Sequence, residues 1–278
     1  MKGLSKIEKR NRAQGWKHAK LSGHENEKLI ENLIKDNKGF QKRLLKRTFK
    51  ENCQIASISF GGLKETNVEG VLSDCKTKSK TDIYINLSDG TKLNISIKKS
   101  LCGQVYLIGD MRFIRGFELQ YSKKIPDRVK RAIKLFWGSA PDVLSIIDEI
   151  DGKHKVYEVR KHRLVAESLK KYDKNLYDGL IDWFNENICE IIDFCFSRGL
   201  AKNENDWADV IWYINKLGEN DVDELFPINE IFKAKKPQAE YGKVGGGTTI
   251  QLPFGFVQWH QEQMQFHHSY EKIKALIK

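Results

Sequence analysis

The sequence predicts an α/β fold, and three observations predict it. Residues 80–100, KTDIYINLSDGTKLNISIKKS, read as a β-hairpin. Residues 172–198 hold the longest run of helical periodicity. Helical and strand-like segments alternate along the chain with no internal repeat and no low-complexity linker, which favours a single elaborated domain spanning 1–278.

From Gly23, GHENEKLIENLIKDNKGFQKRLLKR is helical, because Leu29, Ile30, Leu33 and Ile34 form an apolar stripe while Glu25, Glu27 and Glu31 lie on other faces. IASISF at 55–60 alternates like a strand and stops at Gly61-Gly62; VEGVLSD follows, then the hairpin. There Ile83, Ile85 and Leu87 alternate with Tyr84 and Asn86, and Leu93, Ile95 and Ile97 alternate with Asn94 and Ser96, around the turn Ser88-Asp89-Gly90-Thr91. KKIPDRVKRAIKLFWGS reads as a helix with Pro126 and Asp127 in its first turn and Gly138 as its stop. In 172–198, Leu176, Leu180, Phe184, Ile188, Ile191 and Cys195 recur at helical spacing before Gly199. Cys189 and Cys195 have no histidine beside them, so core packing is expected of them rather than metal binding. Ala208, Val210, Trp212 and Ile214 alternate as a further strand. The tail is rich in Gly, Gln, aromatics and Lys and contains no arginine after Arg198; 248–252 and 264–266 read as short strands, with a helix from Tyr270.

Hydrophobic content of 40% and aromatic content of 10% are those of a folded chain. No apolar run approaches the ~20 residues that cross a bilayer, and the N-terminus has no apolar core of a secretory signal. Five cysteines, an odd number without framework spacing, suit a reducing cytoplasm. The net charge of +11 is concentrated: residues 1–50 hold fifteen Lys/Arg against five Asp/Glu. Such a segment attracts a polyanion, nucleic acid first and an acidic membrane surface second, or serves as a solvated helical face.

The polar residues of the hairpin have a chemical use. Side chains two apart on a strand share a face, so Ser96 and Lys98 point the same way, and a suitable register brings Asp82 to them. A carboxylate can hold Mg²⁺ among oxygens and retained waters. A lysine beside it can orient or deprotonate a water and stabilise charge on a phosphate oxygen. The alternative is an ordinary polar hairpin surface.

KTDIYI…LNISIKKS resembles the PD-(D/E)xK nuclease superfamily, and within it the type II restriction endonucleases. It is most similar to small bacterial enzymes that cut the four-base site GCGC. GHENEKLIENL looks like their opening helix, VLSDCKTKSKTDI like the segment leading to their catalytic Asp, and KLFWGSAPD, SRGLAKNENDWADVIW and GGGTTIQL…MQFHHSYEKI have counterparts in order. The resemblance implies a central mixed β-sheet flanked by helices, with a catalytic core at 1–140, a helical region and additional strand at 141–230, and a C-terminal β recognition element at 231–278. It implies that Asp82 binds Mg²⁺, that Lys98 serves the water, and that Glu27 assists the metal. Ser96 stands where the family has a carboxylate or amide, and Thr81 where it has proline, so the Ile97 backbone carbonyl, waters or Glu27 would complete the metal shell.

Double-stranded DNA is the implied partner, in a bacterial cytoplasm, with a cognate methyltransferase protecting the same site and the enzyme acting as monomer or homodimer. Lys99, Ser100 and Gln104 follow the catalytic strand and are expected near the scissile phosphate, with Gln104 contacting or wedging between bases. In the tail, Lys243, Gln251, Gln258, Gln261 and Gln263 are candidate base readers, since guanine is read by Arg or Lys and adenine by Asn or Gln. Lacking tail arginines, the chain either reads a site unlike GCGC or relies on Lys233, Lys235, Lys236 and Lys243. His267 or His268 is a candidate phosphate contact, and zinc is not expected at His260, His267 and His268.

Overall fold

The computed structural model describes residues 30, 32–60, 67–73, 76–151, 162–215, 222–233 and 238–277. The chain divides into two compact units, Met1–Ile55 and Ala56–Lys278. In the first, residues 32–36 are helical and α1 (Lys38–Arg47) follows, started by Asn37, whose Oδ1 accepts the N–H of Phe40 at 2.9 Å. Lys46 and Arg47 in its last turn suit the negative end of the helix dipole. Residues 23–29 of the expected helix lie outside the described residues.

β1 (Ile55–Phe60) opens the second unit's elements, and β2 (Asn67–Glu69) pairs with β3 (Lys76–Lys78) in an antiparallel ribbon. β4 (Ile83–Leu87) and β5 (Lys92–Lys98) form the expected hairpin, in antiparallel register from Ile83↔Ile95 to Asn86↔Lys92. After them come β6 (Cys102–Gly109), α2 (Asp110–Tyr121), α3 (Asp127–Trp137) and α4 (Val143–Asp151). The helices α5 (Ala166–Tyr172), α6 (Lys174–Glu186) and α7 (Ile188–Phe196) lead to β7 (Val210–Asn215), β8 (Val222–Pro227) and α8 (Ile228–Lys233). The tail folds as β9 (Glu240–Tyr241), β10 (Thr249–Leu252), β11 (Gly255–His260), β12 (Gln263–Ser269) and α9 (Tyr270–Ile277).

Two five-stranded sheets result. The first runs β1-β4-β5-β7-β8 and is mixed: β5 and β7 are parallel, and the pairs on either side of them are antiparallel. A parallel pair needs a long crossover, and the β5–β7 connection carries six of the helices and β6. The second sheet runs β6-β12-β11-β10-β9 and is antiparallel throughout. Apolar faces of α2, α3, α6 and α7 meet one face of each sheet in a shared core, where Ile211 and Tyr213 come from β7 and Phe266 from β12. The α/β architecture with a mixed sheet and flanking helices is therefore the one expected.

Local chemistry explains the element ends. Gly138 closes α3 at φ 88°, a left-handed cap that disfavours a β-carbon. The expected single helix of 172–198 is divided: Asp173 caps α6 by accepting the N–H groups of Asn175 and Leu176, and Asn187 at φ −112° and ψ 22° separates α6 from α7. The apolar stripe continues across that break, which hides it from a periodicity reading. At Gly255 a β-carbon would lie 1.9 Å from the His267 carbonyl oxygen, so only glycine allows this approach of β11 to β12.

Candidate functional site

The end of β5 gathers the charged residues of the hairpin. Asp82 stands just before β4; its N–H donates to the Ile95 carbonyl at 2.8 Å, and its Oδ2 accepts the Ile97 N–H at 2.6 Å. The carboxylate thereby closes the open end of the β4–β5 ladder. Ser96 is only 1% exposed, and its Oγ accepts from Lys98 Nζ at 2.9 Å, so the two residues do share a face. Burial pushes the Asp82 carboxyl upward, against the pull of Lys98, the Ile97 N–H, Lys99 and Lys80. Burial likewise weakens the proton affinity of Lys98, with Asp82 opposing it.

A second lysine enters that no sequence pattern announced. Lys80 Nζ donates to the Val105 carbonyl of β6 at 3.1 Å and lies 3.4 Å from the centre of the Tyr106 ring. Burial lowers its ammonium to about 7, with Lys98 lowering it further and Cys195 and Asp82 raising it. The only sequence signal was a lysine two residues ahead of Asp82. On the other side His268, 3% exposed, places Nδ1 2.7 Å from the Tyr213 hydroxyl of β7. Burial, Lys98 and His267 hold His268 down at about 3, and burial raises Tyr213, so both are neutral at neutral pH. The phenol O–H can then donate to Nδ1, leaving Nε2–H as a donor. A β-carbon added at Gly103 would sit 3.9 Å from that Nε2 and 3.1 Å from Ser100 Oγ, so the ring faces the start of β6.

Two lysine amines and a neutral imidazole beside one carboxylate give the recess N–H donors for an anion. Among the described residues, no three His, Cys, Asp or Glu side chains cluster as a metal site. Magnesium nevertheless needs only one or two carboxylates when waters and phosphate oxygens supply its other ligands. The partly exposed Asp82 fits that requirement, while Ser96 Oγ is already engaged by Lys98. Glu27, Lys235 and Lys236 lie outside the described residues.

The expected DNA contacts fall on the second sheet and its approaches. Lys99 is partly exposed and Ser100, Gln104, Lys233, Lys243 and Gln261 are exposed. Along β12, Met264, Phe266 and His268 point into the core, while Gln263, Gln265 and His267 face outward. On that outer face Gln265 Nε2 donates to Gln104 Oε1 at 2.7 Å, and Gln258 Nε2 donates to Gln265 Oε1 at 2.8 Å. Gln258 Nε2 also approaches His267 Nε2 at 3.2 Å, and His267 stacks on Phe256 at 4.4 Å and 9°. Gln251 lies beside Lys272, whose Nζ reaches its Oε1 at 3.3 Å. Gln265 and Lys272 were not among the expected contacts; Gln265 occupies the outward phase of a strand expected only at 264–266.

No protein-family model matches the chain, and no curated protein matches it. Among solved structures it is similar to the crystal structure of restriction endonuclease MspI in complex with its cognate DNA. That likeness covers 86% of this chain and 82% of that chain at 13% identity and a TM-score of 0.47.

Proposed function

We propose that the chain is a type II restriction endonuclease that hydrolyses one phosphodiester in each strand of a short duplex site, with Mg²⁺, leaving 5′-phosphate ends. The observation that carries the reading is the convergence of Asp82, Ser96, Lys98 and Lys80 at the end of β5, on a strand–strand framework that fixes them. Asp82 would hold the metal, with Glu27 and the Ile97 carbonyl as further oxygens. A bound Mg²⁺ supplies charge stabilisation at the phosphate and acidifies a coordinated water.

The chain's own residues do the rest. Water oxygen bonds to phosphorus as the P–O3′ bond breaks; the water's proton passes to an unprotonated Lys98 Nζ, and the departing 3′-oxygen takes a proton from solvent. Burial favours that unprotonated amine by penalising the ammonium. Lys80 and the His268 Nε2–H offer positive charge and a donor to phosphate oxygens. A cognate methyltransferase would mark the same site, in a bacterial cytoplasm, and the enzyme would act as a monomer or homodimer.

Ser96 favours a second reading, a non-catalytic DNA-binding protein, because a hydroxyl replaces the family's carboxylate or amide. Incubating unmethylated phage DNA with the protein and Mg²⁺ separates these: discrete fragments support restriction, and smearing supports a repair or structure-specific nuclease. Retention of duplex without any cutting removes the catalytic reading.

A further inference from the structure

The outer face of the second sheet has an unusual composition. β6, β11 and β12 read CGQVYLIG, GFVQWH and QMQFHHS, and not one of their residues is Asp, Glu, Lys or Arg. Residues 231–278 hold seven lysines against three acids, none of the ten on these strands, and among the described residues Lys272 reaches Gln251 of β10. Phosphates are drawn to cations, and a face without charges is left for groups that recognise by hydrogen-bond pattern.

That face is ordered. Gln258 donates to Gln265 and Gln265 donates to Gln104, so the three amides form one directional chain across β11, β12 and β6. His267, neutral because burial and then His260 lower its proton affinity, accepts from Gln258 and is held flat against Phe256. An amide has two donors and two acceptor sites. Gln258 spends both of its donors, on Gln265 and His267, whereas Gln265 and Gln104 each keep a free donor and a free acceptor site while their rotamers are already fixed. That prior ordering lowers the entropy lost on binding. β6 and β12, which carry Gln104 and Gln265, are neighbours at the edge of the sheet about 4.8 Å apart, and the DNA major groove admits a two-stranded ribbon.

We propose that this amide array reads base edges in the major groove, and that Gln104 and Gln265 select adenine, so that the recognised site contains A·T pairs. A glutamine amide pairs bidentately with adenine N6 and N7, whereas guanine calls for the cations this face lacks. The proposal deepens the nuclease reading and depends on its DNA partner. It also accounts for how the reader meets the recess: β6 is the edge strand of the sheet, and Lys80 bonds its Val105 carbonyl. A duplex lying on the outer face would bring its backbone over that edge toward Lys98.

The test is selection from a pool of duplexes with a randomised segment, using the full chain without divalent metal and sequencing what is retained. Enrichment of sites containing adenine is expected. Gln104→Ala and Gln265→Ala should each lose roughly ten- to a hundredfold of the preference at one position, while low-salt binding of arbitrary duplex persists. Gln265→Glu, which can only accept, should move its position toward cytosine, whose N4 donates. Enrichment of sites made only of G·C pairs, or a preference unchanged in both alanine variants, overturns the base-reading proposal and leaves DNA binding standing. Failure of the full chain to retain any duplex overturns both.

Discussion

Lys98 donates to Ser96 at 2.9 Å, and the backbone N–H of the residue between them donates to Asp82. These bonds hold an amine and a carboxylate on one strand end without help from distant segments. Lys98→Ala should therefore leave the fold and duplex binding intact while reducing cleavage by about 10²–10⁴-fold, the range for a proton-transferring group. Gel-shift and digestion assays on the same preparation check this, and equal loss in both would assign Lys98 to binding. Lys80 gives a pH signature instead. Its folded-state value near 7 lies below the unfolded lysine value, so above pH 7 the unfolded chain binds more protons and stability rises with pH until both states are neutral. Urea unfolding from pH 7 to 10 should show that rise, and Lys80→Met should diminish it, the remainder belonging to Lys98. A wild-type stability flat or falling across that window contradicts the buried ammonium. Asp82, Ser96 and Lys98 were legible because strand alternation fixes neighbours two residues apart. Lys80 and Tyr213 were not, and His268 was read only as a candidate phosphate contact, because their approach depends on where β6, β7 and β12 settle.

The β11–β12 hairpin turns through Gln261 and Glu262, both at positive φ, 49° and 64°. A two-residue turn of this kind favours Asn-Gly, and a side chain in the left-handed region costs about 1–3 kcal/mol. Glu262→Gly should therefore raise unfolding stability by up to about 1 kcal/mol once the glycine's larger unfolded-state entropy is subtracted. A denaturant midpoint that falls would show that the glutamate side chain compensates its own strain. In the core, Phe113 of α2 meets Phe117, Trp183, Phe194 and Phe266, joining three helices to β12. Phe113→Ala should cost about 3–5 kcal/mol in the same assay, and a loss under 1 kcal/mol would mean that the cluster refills the space. Elements built on local periodicity, such as the β4–β5 hairpin, α3 and α9, could be read from the chain. β6 could not: Gly103 and the register shift opposite Phe266/His267 break its alternation. β11 escaped because its outward phase is Phe256, Gln258 and His260, which mixes ring, amide and imidazole. The parallel pairing of β5 with β7 is a fact of long-range topology that alternation does not carry.

Charge acts at the scale of the whole molecule. Of the net +11, an excess of ten lies in residues 1–50, and within them α1, KGFQKRLLKR, carries five cations and no acid. None of these residues is among those proposed to read bases or to hold the scissile phosphate; Glu27 alone is proposed to assist the metal. Their contribution to a DNA complex should therefore be uniform across sequences and governed by counterion release. Each phosphate contact adds about 0.9 to the slope of log affinity against log salt. Replacing Lys42, Arg43, Lys46 and Arg47 together by glutamine should reduce that slope by up to about 4 if each meets a phosphate, and weaken binding most at low salt. The preference among sites should stay as it was, because preference belongs to the uncharged array on β6, β11 and β12. Binding isotherms over a salt series, on one preferred and one arbitrary duplex, measure both quantities. A slope that does not change assigns these cations to solvation alone, whereas a changed preference with an unchanged slope would reverse the division between the charged segment and the amide face.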